Sequence, residues 1–182
     1  MKVTVAESSG FCFGVKNAVS AAQDAVASRV DGKTLVMLGE IVHNKYVVDE
    51  LVKGGFIICD KAEDCPEDSV VIVRAHGVTP NELEILKSKN CEIRDMTCPF
   101  VSKIHKIVRE NAAKGMNIII AGTQGHPEVT GILGEAEGYG VKCAVIKAPE
   151  DLETLDFPLE IAILISQTTF SNDTFKKICQ IV

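Results

Sequence analysis

The chain has 182 residues and a formal net charge of −6 at pH 7. It is long enough to bury a core as one α/β domain or two small ones, and too acidic for a phosphate-backbone surface, which needs clustered Lys and Arg. The stretch Met1 to Glu7 lacks the apolar centre of a signal peptide and no apolar run is long enough to span a bilayer, so the reading is of a cytoplasmic protein. Residues 2 to 5 alternate Lys, Val, Thr, Val, which suggests a short strand leading into Ser9-Gly10-Phe11-Cys12-Phe13-Gly14. A helix follows, with Val15, Val19, Ala22 and Val26 on one face and small alanines allowing close packing. Leu35 to Leu38 is an apolar strand that runs into Glu40-Ile41-Val42-His43, and Tyr46, Val47, Leu51 and Val52 mark a helix stopped by Gly54-Gly55.

Phe56 to Cys59 is another short strand, and an acidic loop with Pro66 separates it from Val70 to Val73, which delivers Arg74-Ala75-His76-Gly77. Thr79, Pro80 and Glu82 have the pattern of an N-cap, a first-turn proline and a capping-box glutamate. Cys91 to Asp95 is a brief strand. Met96-Thr97-Cys98-Pro99 then opens a helix whose apolar face is Val101, Ile104, Ile107 and Val108. Asn117 to Ile120 is a buried strand emptying through Gly122 and Gly125 into His126-Pro127-Glu128. Val129 to Glu137 reads as a helix weakened by Gly131 and Gly134, and Val141 to Ile146 as a strand. A loop or short acidic helix spans Pro149 to Pro158, a strand at 161 to 165 runs into Ser166-Gln167-Thr168-Thr169, and Ser171 caps a final helix with Phe175 and Ile178. Alternating strands and helices indicate βαβ units and mainly parallel sheets, with a domain join near Asp95 to Cys98.

Three of the four histidines, His43, His76 and His126, therefore sit just past a predicted strand, where ligands bind in open α/β sheets. One loop histidine carries little weight. Three in the same placement point to convergence on one anionic group, since imidazole donates hydrogen bonds and can be charged near neutral pH. His105 lies mid-helix and reads as structural or partly exposed. Cys12 and Cys98 each stand just before a helix start, where the helix dipole favours a thiolate, although neither has a close cysteine partner to make a self-contained metal motif. The other five of the seven cysteines read as strand, loop or core residues, and the odd total argues against a disulfide framework. Glu128 is a first-turn carboxylate that could instead hold a proton for delivery beside a bound polyanion. Thr168 is either a functional hydroxyl or an N-cap.

Taken together, Ser9-Gly10-Phe11-Cys12-Phe13-Gly14-Val15, Glu40-Ile41-Val42-His43-Asn44, Arg74-Ala75-His76-Gly77-Val78, Asp95-Met96-Thr97-Cys98-Pro99, Gly125-His126-Pro127-Glu128-Val129 and Ser166-Gln167-Thr168-Thr169 closely resemble the IspH/LytB family of 4-hydroxy-3-methylbut-2-enyl diphosphate reductases. In that family three cysteines hold a 4Fe–4S iron–sulfur cluster with one open iron. Electrons from a ferredoxin or flavodoxin remove the allylic hydroxyl of the substrate, giving isopentenyl and dimethylallyl diphosphates of the non-mevalonate route. By resemblance, Cys12 and Cys98 are two cluster ligands, His43, His76 and His126 hold the diphosphate, and Glu128 supplies the proton. Thr168, with Gln167 as a further candidate, orders the substrate hydroxyl and the proton path.

The family's third cluster cysteine lies in a later segment, followed by a Ser and Asn motif, and the chain stops at Val182 before either; Cys179 matches no such motif. The resemblance thus implies two of three similar α/β domains in a trefoil-like arrangement, 1–97 and 98–182, with residues 1–13 belonging to the third. It further implies a monomer that binds neither nucleic acid nor membrane, and a chain that is inactive alone. A redox-inactive diphosphate-binding module built on the three histidines is the alternative, and a zinc hydrolase using His126, Glu128 and a cysteine is a weaker third.

Overall fold

The computed structural model describes residues 2–7, 9–28 and 32–182. Two fully parallel sheets form its frame. The first contains β1 (Leu35–Leu38), β2 (Phe56–Cys59), β3 (Val70–Val73) and β4 (Glu92–Asp95) in the order β2-β1-β3-β4. The second contains β5 (Asn117–Ala121), β6 (Cys143–Ile146) and β7 (Ala162–Ser166) in the order β6-β5-β7. Every residue of β1, β3 and β5 is buried, which is why their sequences are continuous apolar runs rather than alternations: both faces are covered.

Helices supply the cover. On one face of the first sheet, α1 (Phe13–Ser28) and α2 (Lys45–Lys53) pack Ala18, Ala22 and Leu51 against Met37, Phe56 and Ile72. On the other face, α3 (Pro80–Ser88) packs Leu86 against Val36, Leu38, Val71 and Val73. The second sheet lies between α4 (Pro99–Ala112) with α5 (Pro127–Gly134) on one side and α6 (Asn172–Cys179) on the other.

Register decides what reaches the carboxyl edges. Leu38 lies opposite Val73, so the loops carrying His43 and His76 leave the first sheet side by side. Ala121 lies opposite Ser166, which brings the His126–Glu128 loop beside Gln167 and Thr168. The β4–α4 connection continues the ladder past its last strand residue, with Met96 N–H donating to Val73 O at 3.1 Å and Cys98 N–H to Ala75 O at 2.9 Å.

Residues 2 to 5 are not a strand. Val3 and Val5 are 75% and 74% exposed, and the segment pairs with nothing among the described residues, so its alternation has no sheet to satisfy. The buried face of α2 is Val48 and Leu51, while Tyr46 and Val52 point to solvent. Helix α5 begins at Pro127, two residues earlier than the sequence suggested, because His126 serves as its N-cap. Its two glycines are docking points rather than weaknesses: a Cβ on Gly134 would come within 2.6 Å of Thr79 at the start of α3.

Candidate functional site

The three strand-end histidines come together across the two sheets. Ring centroids of His43 and His76 are 5.6 Å apart, and those of His76 and His126 are 5.4 Å apart with the rings nearly perpendicular. Each belongs to the start of a helix that follows its strand. His43 immediately precedes Asn44, whose side chain caps α2, and His76 lies three residues before Thr79, which caps α3 in a complete capping box. His126 itself caps α5, its Nδ1 accepting the Glu128 N–H at 3.1 Å. That bond leaves the ring hydrogen on Nε2, so His126 presents an N–H donor beside helix amides that already favour an anion.

His76 is the centre of the group. Its Nδ1 is buried without a protein partner, and burial, reinforced by Arg74, His126 and His43, pushes its pKa down to about 4. It is therefore uncharged at neutral pH in the protein alone, and a polyanion beside it would reverse that preference. Arg74, quoted above only as part of a motif, adds a cation at the same edge. Its guanidinium lies so close over Gly39 that a Cβ there would come within 2.4 Å of Nη1; Gly39 also has φ of +71°, so the position requires glycine twice over. Burial lowers the pKa of Arg74, and its Nε has no partner. The signal for it was the spacing to His76.

Glu128 is 1% exposed in the first turn of α5. Its two carboxylate oxygens accept from Thr168, Oε1 from the backbone N–H at 2.6 Å and Oε2 from the hydroxyl at 2.8 Å. Thr168 is exposed, so its hydroxyl links the buried carboxyl to the surface. Gln167 is a brace. Its Oε1 accepts from Thr123 N–H at 3.1 Å and its Nε2 donates to Thr169 Oγ1 at 2.7 Å, which ties the ends of β5 and β7 and occupies both ends of the amide.

The two cysteines singled out by sequence stand at the starts of two helices that touch. The Cys12 carbonyl accepts the Lys16 N–H in the first turn of α1, and Cys98 caps α4 with its thiol uninvolved in capping. A Cβ on Gly14 would lie 3.4 Å from Cys98 Sγ, so the Cys98 sulfur rests on the first turn of the helix that Cys12 opens. Phe13 and Phe100 pack edge to face beside them at 5.9 Å, both exposed on their outer sides. All seven cysteines are free thiols. Among the described residues no group of three or more His, Cys, Asp or Glu side chains is arranged to hold a metal ion.

Fold and site define a two-sheet α/β protein with three imidazoles gathered beyond the carboxyl ends of its strands and thiols at two neighbouring helix starts. The family described as LytB protein matches residues 3–182, and the chain belongs to that family. It is 38% identical over 185 residues to the 4-hydroxy-3-methylbut-2-enyl diphosphate reductase of Thermoanaerobacter sp. (strain X514), covering 100% of this chain and 62% of that protein. The reductase of Clostridioides difficile (strain 630) is 36% identical over 176 residues, covering 96% and 61%. Among solved structures, the E-1-hydroxy-2-methyl-but-2-enyl-4-diphosphate reductase of Plasmodium falciparum superposes with a TM-score of 0.84 at 32% identity, covering 96% of this chain and 54% of that one. The chain thus spans between 54% and 62% of the length of these relatives.

Proposed function

We propose that this chain forms part of an iron–sulfur reductase that removes the allylic hydroxyl of 4-hydroxy-3-methylbut-2-enyl diphosphate, yielding isopentenyl and dimethylallyl diphosphates in non-mevalonate isoprenoid synthesis. Family membership supports the reaction. The observation that carries the site is the convergence of His43, His76 and His126, with an unpartnered buried nitrogen on His76, at the starts of three helices. The diphosphate takes hydrogen bonds from these rings and from the helix amides, with Arg74 adding positive charge at the same edge.

Cys12 and Cys98, at helix starts that favour thiolates, fit as two ligands of a 4Fe–4S cluster. Bound there, the cluster supplies electrons and a Lewis-acidic iron for the hydroxyl oxygen. Glu128 holds the proton that the departing oxygen needs, and the Thr168 hydroxyl orders the path between carboxyl and substrate, while Gln167 fixes the loop that carries Thr168. Two thiolates secure a cluster less firmly than three, so the chain alone is expected to be isolated largely metal-free and inactive. We further propose that 1–97 and 98–182 are separate α/β domains, since β4 closes the first sheet at Asp95 and α4 opens the second at Pro99, with residues 1–13 packing on a further domain. A cytoplasmic monomer served by a ferredoxin or flavodoxin completes the proposal.

The test is a chimera in which this chain replaces the matching portion of the Thermoanaerobacter relative. After anaerobic reconstitution it should contain iron and sulfide and reduce the allylic diphosphate with a one-electron donor. Stoichiometric zinc without iron or sulfide would contradict the reading.

A further inference from the structure

His105 is only 7% exposed and lies where two lobes meet, the first built on the β1–β4 sheet and the second on the β5–β7 sheet: it touches the Gly77 loop of the first and α5 of the second. Its Nδ1 is 3.0 Å from Glu135 Oε1, and the other oxygen of that buried carboxylate accepts from Arg109 Nη1 at 2.6 Å. A carboxylate has no hydrogen to give, so Nδ1 carries the hydrogen and the clamp fixes the plane of the ring. The Cε1–Nε2 edge of the imidazole packs against two glycines. A Cβ on Gly77 would lie 3.0 Å from His105 Cε1, and a Cβ on Gly131 would lie 3.1 Å from the same atom and 3.2 Å from Nε2.

Gly77 follows His76 on the first lobe, and Gly131 belongs to α5, whose N-cap is His126 on the second. The backbone carbonyl of His76 is 3.7 Å from the same Gly131 Cβ position, so the loop, the ring and the helix form one packed stack. Nε2 meets no partner inside that stack. The ring therefore contributes its width there and no hydrogen bond, while the Glu135 and Arg109 clamp keeps that width in one orientation.

We propose that His105 is a positioning residue, the spacer that sets the separation of His76 from His126 and with it the width of the anion site. This rests on the reading of the three imidazoles as one anion site. Two readouts test it on the 182-residue chain, the nuclear Overhauser contact between the His76 and His126 ring protons without ligand, and calorimetric titration with inorganic pyrophosphate. His105→Ala should abolish the ring-to-ring contact and weaken pyrophosphate about tenfold, the lower end of what one lost charge-assisted hydrogen bond gives. His105→Gln, which still donates to Glu135 and fills most of the gap, should stay within about twofold of wild type, the scatter of independent sites.

Gly131→Ala separates a spacer from a generally structural residue. In the wild type its methyl crowds the ring and should weaken binding; in the His105→Ala background it fills the gap and should restore both the contact and part of the affinity. Additive losses in the double variant would overturn the spacer, as would an intact His76–His126 contact in folded His105→Ala. If His105→Ala does not fold, unchanged contact and affinity in Gly131→Ala overturn it instead. A wild-type chain that shows no saturable pyrophosphate binding would sink the anion-site reading, and the ring-to-ring contact would still decide the spacer.

Discussion

The histidine cluster and the cysteine pair are built from the same device, a helix start beyond a strand or loop, yet they are held very differently. His76 and His126 are fixed from both lobes, by the α5 cap, the glycine-lined packing around His105 and the ladder bonds that tie Cys98 to Ala75. Cys12 follows an exposed segment, residues 2–7 and 9–11, that pairs with nothing among the described residues, and it is exposed itself. The contrast teaches that the three imidazoles are already held together in this chain, whereas the thiol pair is only half enclosed. On the proposed roles, binding and redox chemistry are separable by experiment.

The largest effect expected is on turnover. In the reconstituted chimera Glu128→Gln keeps the shape and the bond from Thr168 N–H while removing the proton, so the rate should fall roughly 10²–10⁴-fold with pyrophosphate affinity unchanged. Near-normal turnover would assign the proton to another group and would break the separation between the histidine cluster and the cysteine pair. His43→Ala, His76→Ala and His126→Ala should each weaken pyrophosphate by about 1.5–3 kcal/mol, or roughly 10- to 150-fold. His126→Ala has an added consequence, because it deletes the α5 cap and should lower stability by about 1 kcal/mol. His126→Asn restores the cap without the ring, so recovery of the melting temperature with no recovery of affinity would sharpen the assignment.

A smaller effect concerns Arg74 and pH. Because burial and Arg74 hold His76 down at about 4, below the ordinary value near 6.5, the folded and unfolded chains bind nearly the same number of protons at this residue only well above pH 6.5. As pH falls below about 6.5 the unfolded chain takes up a proton that folded His76 refuses until about 4, so stability should decline across that window. Pyrophosphate opposes the depression and should be bound with proton uptake in the same window. Arg74→Gln should move the His76 titration back toward its ordinary value, read by nuclear magnetic resonance; an unmoved titration would show that burial and the neighbouring imidazoles set it without Arg74. Smallest of all, Cys12→Ser and Cys98→Ser should leave pyrophosphate affinity within about twofold of wild type, which is the sharpest statement that the cluster and the pair are independent.

Sequence reasoning found the frame because completely buried parallel strands must be continuous apolar runs, and it found the histidines because strand ends bind ligands. It misjudged residues 2 to 5, where alternation describes a face but cannot supply a neighbouring strand. Gly131 and Gly134 looked like defects in a helix, since only the folded chain shows that His105 and Thr79 press against them. His105 was placed correctly in a helix, but its link to Glu135 spans 30 residues and has no local signature. Arg74 was visible two residues from His76, and what could not be read was that its Nε would be buried without a partner.

The most direct test of the central claim is titration of the ligand-free chain with inorganic pyrophosphate while the imidazole resonances of His43, His76 and His126 are followed. If the two lobes build one anion site, all three should shift along a single saturable curve with one pyrophosphate per chain, while His105, whose ring is held by Glu135, moves least. Separate curves for the three histidines, or no saturable change in any of them, would contradict the account.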